Sequence, residues 1–536
     1  MNNPNKLGVI VSGSLSEGIK ARLDHDVSVE DVVVGRYVTI NGHKRRFLGM
    51  ITDVKLETSD QQMAYSPPAS HDSFFADVLS GTSAYGIVSI NPYLVINDPN
   101  QALTDGPQPV KTIPGHFSSV EASSDSDIEI VFGKEDNHRF WIGNPLDMET
   151  KLCLNLPEFV KRSNGVFGKS GTGKTFLTRM LLIGILQKSA AVNLVFDMHS
   201  EYGWTSSNEK NIRVGALKKL FPSKVAIFTL DEDNVRMRDI SPDFVVKIGF
   251  DEIEPEDIAL LRQTLNLTDL AVESCYTLRK RFGRDWIIRT LDTDSSEEGS
   301  AIAKELSIHE GSFQSLRRGL LMLKRLPFMS EHVDKQAVEQ ILGRLENGTH
   351  VVLEFGRYTD VTAYILVANL LTRRIYDRYR ERTEKSIAAN TAKPIPLVIT
   401  IEEAHKFLNP EVSSQTTFGT IAREMRKYSC TLLVVDQRPS GIDPEVMSQL
   451  GTKISCLLDN DRDIDSILTG TSGKTGLKGV LSKLASKQQA LIFGHSVPIP
   501  IAFSVREYGS GQSYKELSAP PPKQNEIDKD IDELWR

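Results

Sequence analysis

Apolar positions along the chain fall into three patterns. Between residue 6 and about residue 150 they come in short runs, at 7–11, 32–40, 47–54, 85–96, 128–132 and 140–142. Turn signals such as Asn41-Gly42, Asp105-Gly106 and Pro114-Gly115 separate them. Short strands at such spacing predict a small β-barrel or sandwich. From residue 163 the runs become continuous, as expected of strands buried on both faces: 192–196, 225–230, 351–355, 397–401, 431–435 and 454–458. Helical periodicity lies between several of them, which predicts an α/β fold on a mostly parallel sheet covered by helices. Residues 251–347 interrupt the alternation with amphipathic helices at 255–265, 269–282, 313–326 and 335–345. The polar stretches 60–73 and 292–300 read as loops. The expected division is a β-domain at 1–150, a nucleotide-fold core at 151–248 and 348–510, a helical insertion at 249–347 and a Pro-rich, acidic arm at 511–536.

Composition narrows the class without naming a function. The 536 residues are 40% hydrophobic and 25% charged, with a net charge of −7. No global basic field announces a nucleic acid, although a local basic channel is compatible with that total. The cysteines, Cys153, Cys275, Cys430 and Cys456, form no C-x-x-C pair. Buried free thiols and a reducing, cytoplasmic setting are expected rather than a zinc ribbon. The N-terminus lacks the basic and apolar regions of a signal peptide, and no apolar run approaches a membrane span. His25, His43, His71, His116 and His138 are too scattered to suggest a metal site.

The strongest chemical signal is Gly168-Lys169-Ser170-Gly171-Thr172-Gly173-Lys174-Thr175. It fits G-x-x-x-x-G-K-[ST] and sits between a short apolar strand and a helical run at 176–187. Glycines let backbone N–H groups turn toward phosphate oxygens. Lys174 can then reach the β- and γ-phosphates of ATP, and the Thr175 hydroxyl can ligate Mg²⁺. A second signal is the apolar strand that ends in Glu402-Glu403. One acid suits the metal shell and the next suits the attacking water, so Glu402 is expected on Mg²⁺ and Glu403 on the water.

Three further segments are candidates. Asp197 and Glu201 follow the strand at 192–196, where they either face the nucleotide or serve as a helix cap and a surface acid. Gln437, after the strand at 431–435, is placed to sense the γ-phosphate. Arg423 and Arg426 are three residues apart on a predicted helix at 417–428. They are either solvated or paired, or one reaches a neighbour's nucleotide as an arginine finger.

Taken together, the P-loop, Asp197-Met198-His199-Ser200-Glu201-Tyr202, Ile401-Glu402-Glu403-Ala404-His405, Arg423-Glu424-Met425-Arg426-Lys427-Tyr428 and the run Gln437-Arg438-Pro439-Ser440-Gly441-Ile442-Asp443-Pro444 resemble HerA-type ATPases, DNA translocases related to FtsK. The resemblance implies a RecA/FtsK-like core, an N-terminal HAS-barrel-like domain and a helical insertion. It implies a homohexamer around double-stranded DNA, with ATP bound between subunits. Arg426 or Arg423 then acts across the interface, and Arg162 is a further interface arginine. Family members work with a partner nuclease or another effector, in DNA end processing or antiphage defence. Two departures stand out: the P-loop carries an uncommon sequence that keeps its glycines, and Glu402 stands where Asp is usual.

The leading expectation is therefore a DNA-translocating ATPase ring. An ATPase ring that mainly scaffolds an effector enzyme is the alternative, and a small-molecule kinase fits the length poorly. Lys210 and Arg213 are candidate phosphate contacts on DNA.

Overall fold

A computed structural model describes residues 5–59, 83–96, 107–207, 213–233, 241–293, 296–358, 361–413, 416–471 and 474–518. The expected loop at 60–73, the Asp105-Gly106 turn, Lys210 and the terminal arm beyond residue 518 lie outside them. The chain divides into two compact units. One comprises residues 1–155, 168–174 and 452–507; the other comprises 156–167, 175–451 and 508–536.

In the first unit, strands β1 (Lys6–Ser14), β2 (Gly18–Leu23), β3 (Tyr37–Asn41), β4 (Arg46–Thr58), β5 (Ala84–Ile96) and β6 (Ser119–Ala122) form an antiparallel sheet in the order β2-β1-β6-β3-β4-β5. Pairing of β2 with β5, Ile19 opposite Ile90, closes it into a six-stranded barrel. Closure leaves no unpaired edge among the six. The interior is filled by Ile10, Ile19, Val38, Ile40, Phe47, Ile51, Val88, Ile90 and Val120, all buried.

Two expectations for this region are corrected. The apolar run at 128–132 is a helix, Asp125–Phe132. Ser124 and Asp127 close a reciprocal capping box, and Ile128, Val131 and Phe132 recur at helical spacing. Asp127 also takes hydrogen bonds from Thr39 and Arg46, each at 2.9 Å. The run at 32–40 is a strand only from Tyr37, because Gly35 at φ 96° turns the chain just before it.

Two strands expected elsewhere join further antiparallel pairings of the same unit. Arg139–Pro145 pairs antiparallel with Leu152–Asn155 and with Ile501–Val505. The latter pairs with Gln489–Gly494, which pairs with Thr452–Ser455. The apolar run at 454–458 is a strand only as far as Ser455, in Thr452–Ser455. Arg506 holds the seam: its N–H donates to the Ile142 carbonyl at 2.9 Å and its guanidinium lies 4.2 Å from the Trp141 ring.

The second unit is built on parallel strands. They are β7 (Asn164–Phe167), β8 (Val192–Asp197), β9 (Val225–Thr229), β10 (His350–Glu354), β11 (Leu397–Glu402) and β12 (Cys430–Asp436). Their order is β9-β10-β8-β11-β12-β7, with the short strand Phe244–Val245 beyond β9. Every residue of these six strands is buried. That is why they read as continuous apolar runs, and why their C-terminal ends are the place for polar function.

The interrupting segment folds as helices Pro255–Leu260, Asp269–Phe282, Trp286–Leu291, Ser296–Glu305, Glu310–Lys324 and Ala337–Glu346. Thr268 caps the second by accepting the Ala271 N–H. The expected loop at 292–300 is helical from Ser296, whose acidic first turn, Glu297 and Glu298, suits a helix N-terminus. Buried Asp257 ties the insertion to the long helix Val361–Ala388 through a two-pronged bond with Arg373 at 2.8 and 2.9 Å. All four cysteines are buried free thiols. Among the described residues, no helix is long and apolar enough to cross a membrane.

Candidate functional site

In the first unit, Gly168–Lys174 forms a cradle. Gly171 and Gly173 have φ of 78° and 94°, a left-handed conformation that side chains disfavour. A Cβ on Gly168 would lie 2.8 Å from Cys456 and 2.9 Å from the Thr172 hydroxyl. The Lys169 N–H donates to the Leu457 carbonyl at 3.1 Å, and its ammonium pairs with Asp459 at 2.5 Å. Both of those side chains are exposed, so the ion pair contributes little by itself. Thr172 closes the loop by donating to the Lys169 carbonyl at 2.7 Å. Burial pushes the Cys456 thiol up to about 12, against the hydrogen bond of Thr172 and the nearby charge of Lys174. Ser170 and Gly171 remain exposed at the rim.

Lys174 opens a helix that runs unbroken through Thr175 to Gln187. In the second unit, Arg179 of this helix is buried, donates to the Glu201 carbonyl and lies against the rings of Phe176, Tyr202 and Tyr508. It thereby fastens the turn after β8 to the helix. Asp197 closes the same turn. Its Oδ1 accepts the Glu201 N–H at 2.9 Å and its Oδ2 accepts the Tyr202 N–H at 2.8 Å. Asp197 is fully buried; burial raises its pKa, and those two N–H groups oppose the rise. Both carboxylate oxygens thus serve the backbone, while the Glu201 side chain is half-buried.

The carboxyl end of β11 is different. Glu402, its last residue, is 4% exposed. Glu403 follows in a left-handed conformation at φ 49°, which turns its side chain away from the strand's alternation. Its Oε1 accepts a hydrogen bond from Gln437 Nε2 at 2.6 Å. Its Oε2 lies 3.5 Å from His405 Nδ1. That same Nδ1 is 2.9 Å from Oδ2 of Asp436, at the end of the neighbouring strand β12. Asp436 Oδ2 also accepts the His405 backbone N–H at 2.6 Å, and its Oδ1 accepts the Arg438 N–H at 2.7 Å.

The hydrogen bond that His405 makes to Asp436 raises the His405 pKa, which partial burial opposes. Burial alone would raise Asp436, but His405 and the two N–H donors outweigh it and hold the carboxyl below its usual range. Nearby, burial first, and then the negative charges of Glu402, Asp197 and Glu201, push the Tyr202 hydroxyl well above its usual pKa. Buried Glu354 closes β10 opposite Asp197, so acids end four adjacent strands.

The sequence-derived candidates are therefore brought together unevenly. Glu403 and Gln437 touch. Arg423 and Arg426 do not share one regular helix: the α-helix ends at Glu424 and Met425–Tyr428 is a 3₁₀ turn. Both arginines are exposed, Arg423 lying 3.5 Å from Glu445. Arg162 is also exposed, with its stem against Gly451. Sequence reasoning assigned nothing to Arg179, His405 or Asp436. His405 closes one quoted motif and Asp436 directly precedes another, and the signal available for them was their position just past or at a buried strand's carboxyl end.

Residues 140–375 match the family model for the central domain of helicase HerA, and residues 7–75 match the HAS barrel domain. Over that central domain the chain is similar to HerA-type ATPases. The DNA double-strand break repair helicase HerA of Pyrococcus furiosus is 25% identical over 426 residues, which cover 74% of this chain and 73% of that one. The probable helicase MJ1565 of Methanocaldococcus jannaschii is 22% identical over 516 residues, covering 90% of this chain and 88% of that protein. Among solved structures, VirB4 of Thermoanaerobacter pseudethanolicus aligns with 97% of its chain and 70% of this one, at 13% identity and a TM-score of 0.46.

Proposed function

We propose that this ATPase is a motor in which ATP hydrolysis drives a ring of six identical subunits along double-stranded DNA. The observation that carries the reading is the end of β11: two buried acids, with Glu403 turned by its left-handed backbone and held by Gln437. Relatives named as DNA double-strand break repair helicases support DNA as the track.

In this reading the N–H groups of Gly168–Thr175 and the Lys174 ammonium hold the β- and γ-phosphates. Mg²⁺ is a hard cation that takes oxygen ligands, and the Thr175 hydroxyl and the buried Glu402 carboxylate are donors of that kind. When bound it supplies charge neutralisation between the phosphates. Glu403 orients a water molecule and accepts its proton as the oxygen bonds to the γ-phosphorus and the bond to ADP breaks. Gln437 reports the γ-phosphate to Glu403 through the bond they share. Asp197 keeps the turn that presents Glu201 toward the nucleotide. Arg426, or Arg423, enters from the neighbouring subunit to stabilise charge in the transition state, with Arg162 at the same seam. Exposure of all three arginines in a single chain suits contact with another copy.

The partner is an effector, a nuclease by analogy with the family, and end processing or antiphage defence is its setting. The barrel offers exposed apolar side chains, Leu15, Leu56 and Phe117, to such a partner. The test is displacement of a third strand from a DNA triplex by the purified ring. Displacement that needs ATP and is lost in Lys174→Ala supports the motor. ATP hydrolysis without any displacement, in a ring that still binds DNA, favours the scaffold.

A further inference from the structure

The Glu403 carboxylate has a neighbour on each side: Gln437, which donates to it, and an imidazole in ion-pair range. On the other side stands His405, whose Nδ1 lies 2.9 Å from Asp436 Oδ2 and 3.5 Å from Glu403 Oε2. Asp436 is fully buried and cannot move to suit the ring, because its two oxygens also hold the His405 and Arg438 N–H groups. The imidazole is therefore anchored at both its backbone and its ring, with a carboxylate on each side of Nδ1. Like charges this close disfavour joint ionisation, and a donor between them relieves that.

We propose that His405 is a positioning residue for ATP hydrolysis: its Nδ1–H, held by Asp436, sets the imidazole beside Glu403, where its charge and dipole steady that carboxylate. This rests on the reading of Glu403 as the group that accepts the water's proton. The arrangement makes a specific demand: one N–H donor where Nδ1 lies. Asparagine can place its amide nitrogen near that point, whereas alanine supplies nothing there.

The experiment compares steady-state ATP turnover of the full chain with His405→Ala, His405→Asn and Glu403→Gln, with nucleotide affinity and melting temperature measured on each. The expected result is a 10- to 100-fold loss of kcat in His405→Ala with KM for ATP changed less than about threefold, and recovery of most of that loss in His405→Asn. Wild-type turnover in His405→Ala would overturn the proposal. So would equal losses in both His405 variants, or losses that follow melting temperature or ATP affinity. If the wild type turns over and Glu403→Gln does not, an unaffected His405→Ala rejects only this inference. If Glu403→Gln turns over normally, the reading beneath it fails first.

Discussion

Strands β8 and β11 lie side by side and each ends in a buried acid, yet the two ends are built for different work. Asp197 gives both oxygens to backbone N–H groups of its own turn. Such a carboxylate is saturated by fixed donors, so moving it breaks the turn. Among the described residues, the Glu403 carboxylate meets side chains, Gln437 by a hydrogen bond and His405 at 3.5 Å, and its left-handed backbone points it out of the sheet. Side chains can let go at small cost, so this acid is free to take the water-activating part proposed for it. The contrast is that both acids are buried, but Asp197 is saturated by fixed backbone donors and Glu403 is not.

Four outcomes would break or sharpen that contrast. The largest is Glu403→Gln, which keeps the shape but removes the proton acceptor. Phosphate release is expected to fall by at least about 100-fold, while the melting temperature changes little. Next is Arg426→Ala, which is expected to lower turnover by about 10³-fold in the assembled ring, leaving ATP affinity of the single chain near wild type. Equal wild-type turnover in Arg426→Ala and Arg423→Ala would remove both from the site.

Asp197→Ala leaves two buried N–H groups without their acceptor. A stability loss of about 3 kcal/mol by denaturant titration is expected. The smallest effect is a pH dependence of the His405–Asp436 pair. A raised histidine pKa contributes stability below its unfolded value of about 6.5 and loses it as pH rises through the folded value. A lowered aspartate pKa contributes above its unfolded value of about 3.9 and loses it as pH falls through the folded value. The stability gap between wild type and His405→Asn should therefore be widest between about pH 4 and 6.5 and narrow on both sides.

Much of the second unit was legible because parallel strands buried on both faces cannot hide: 192–196, 397–401 and 431–435 are apolar without a break and fold as strands with those positions inside. The P-loop was legible because its glycines answer a backbone demand local to eight residues. What failed was pairing and competition. Nothing local to residues 139–145 says that they lie beside 501–505, since that partner is far along the chain. The run at 128–132 looked like a strand until Ser124 and Asp127 were counted as a capping box, which starts a helix before β-propensity can act. The same limit hid the site's second grip: His405 and Asp436 are 31 residues apart, and only adjacency of β11 and β12 makes them partners.

The contrast is tested most directly by turnover per bound ATP, measured side by side for Glu403→Gln and Asp197→Asn. The account predicts that Glu403→Gln binds ATP and releases almost no phosphate, whereas Asp197→Asn is less stable but, while folded, turns over within about fivefold of wild type. Near-normal turnover in Glu403→Gln, together with a dead but fully stable Asp197→Asn, would contradict it.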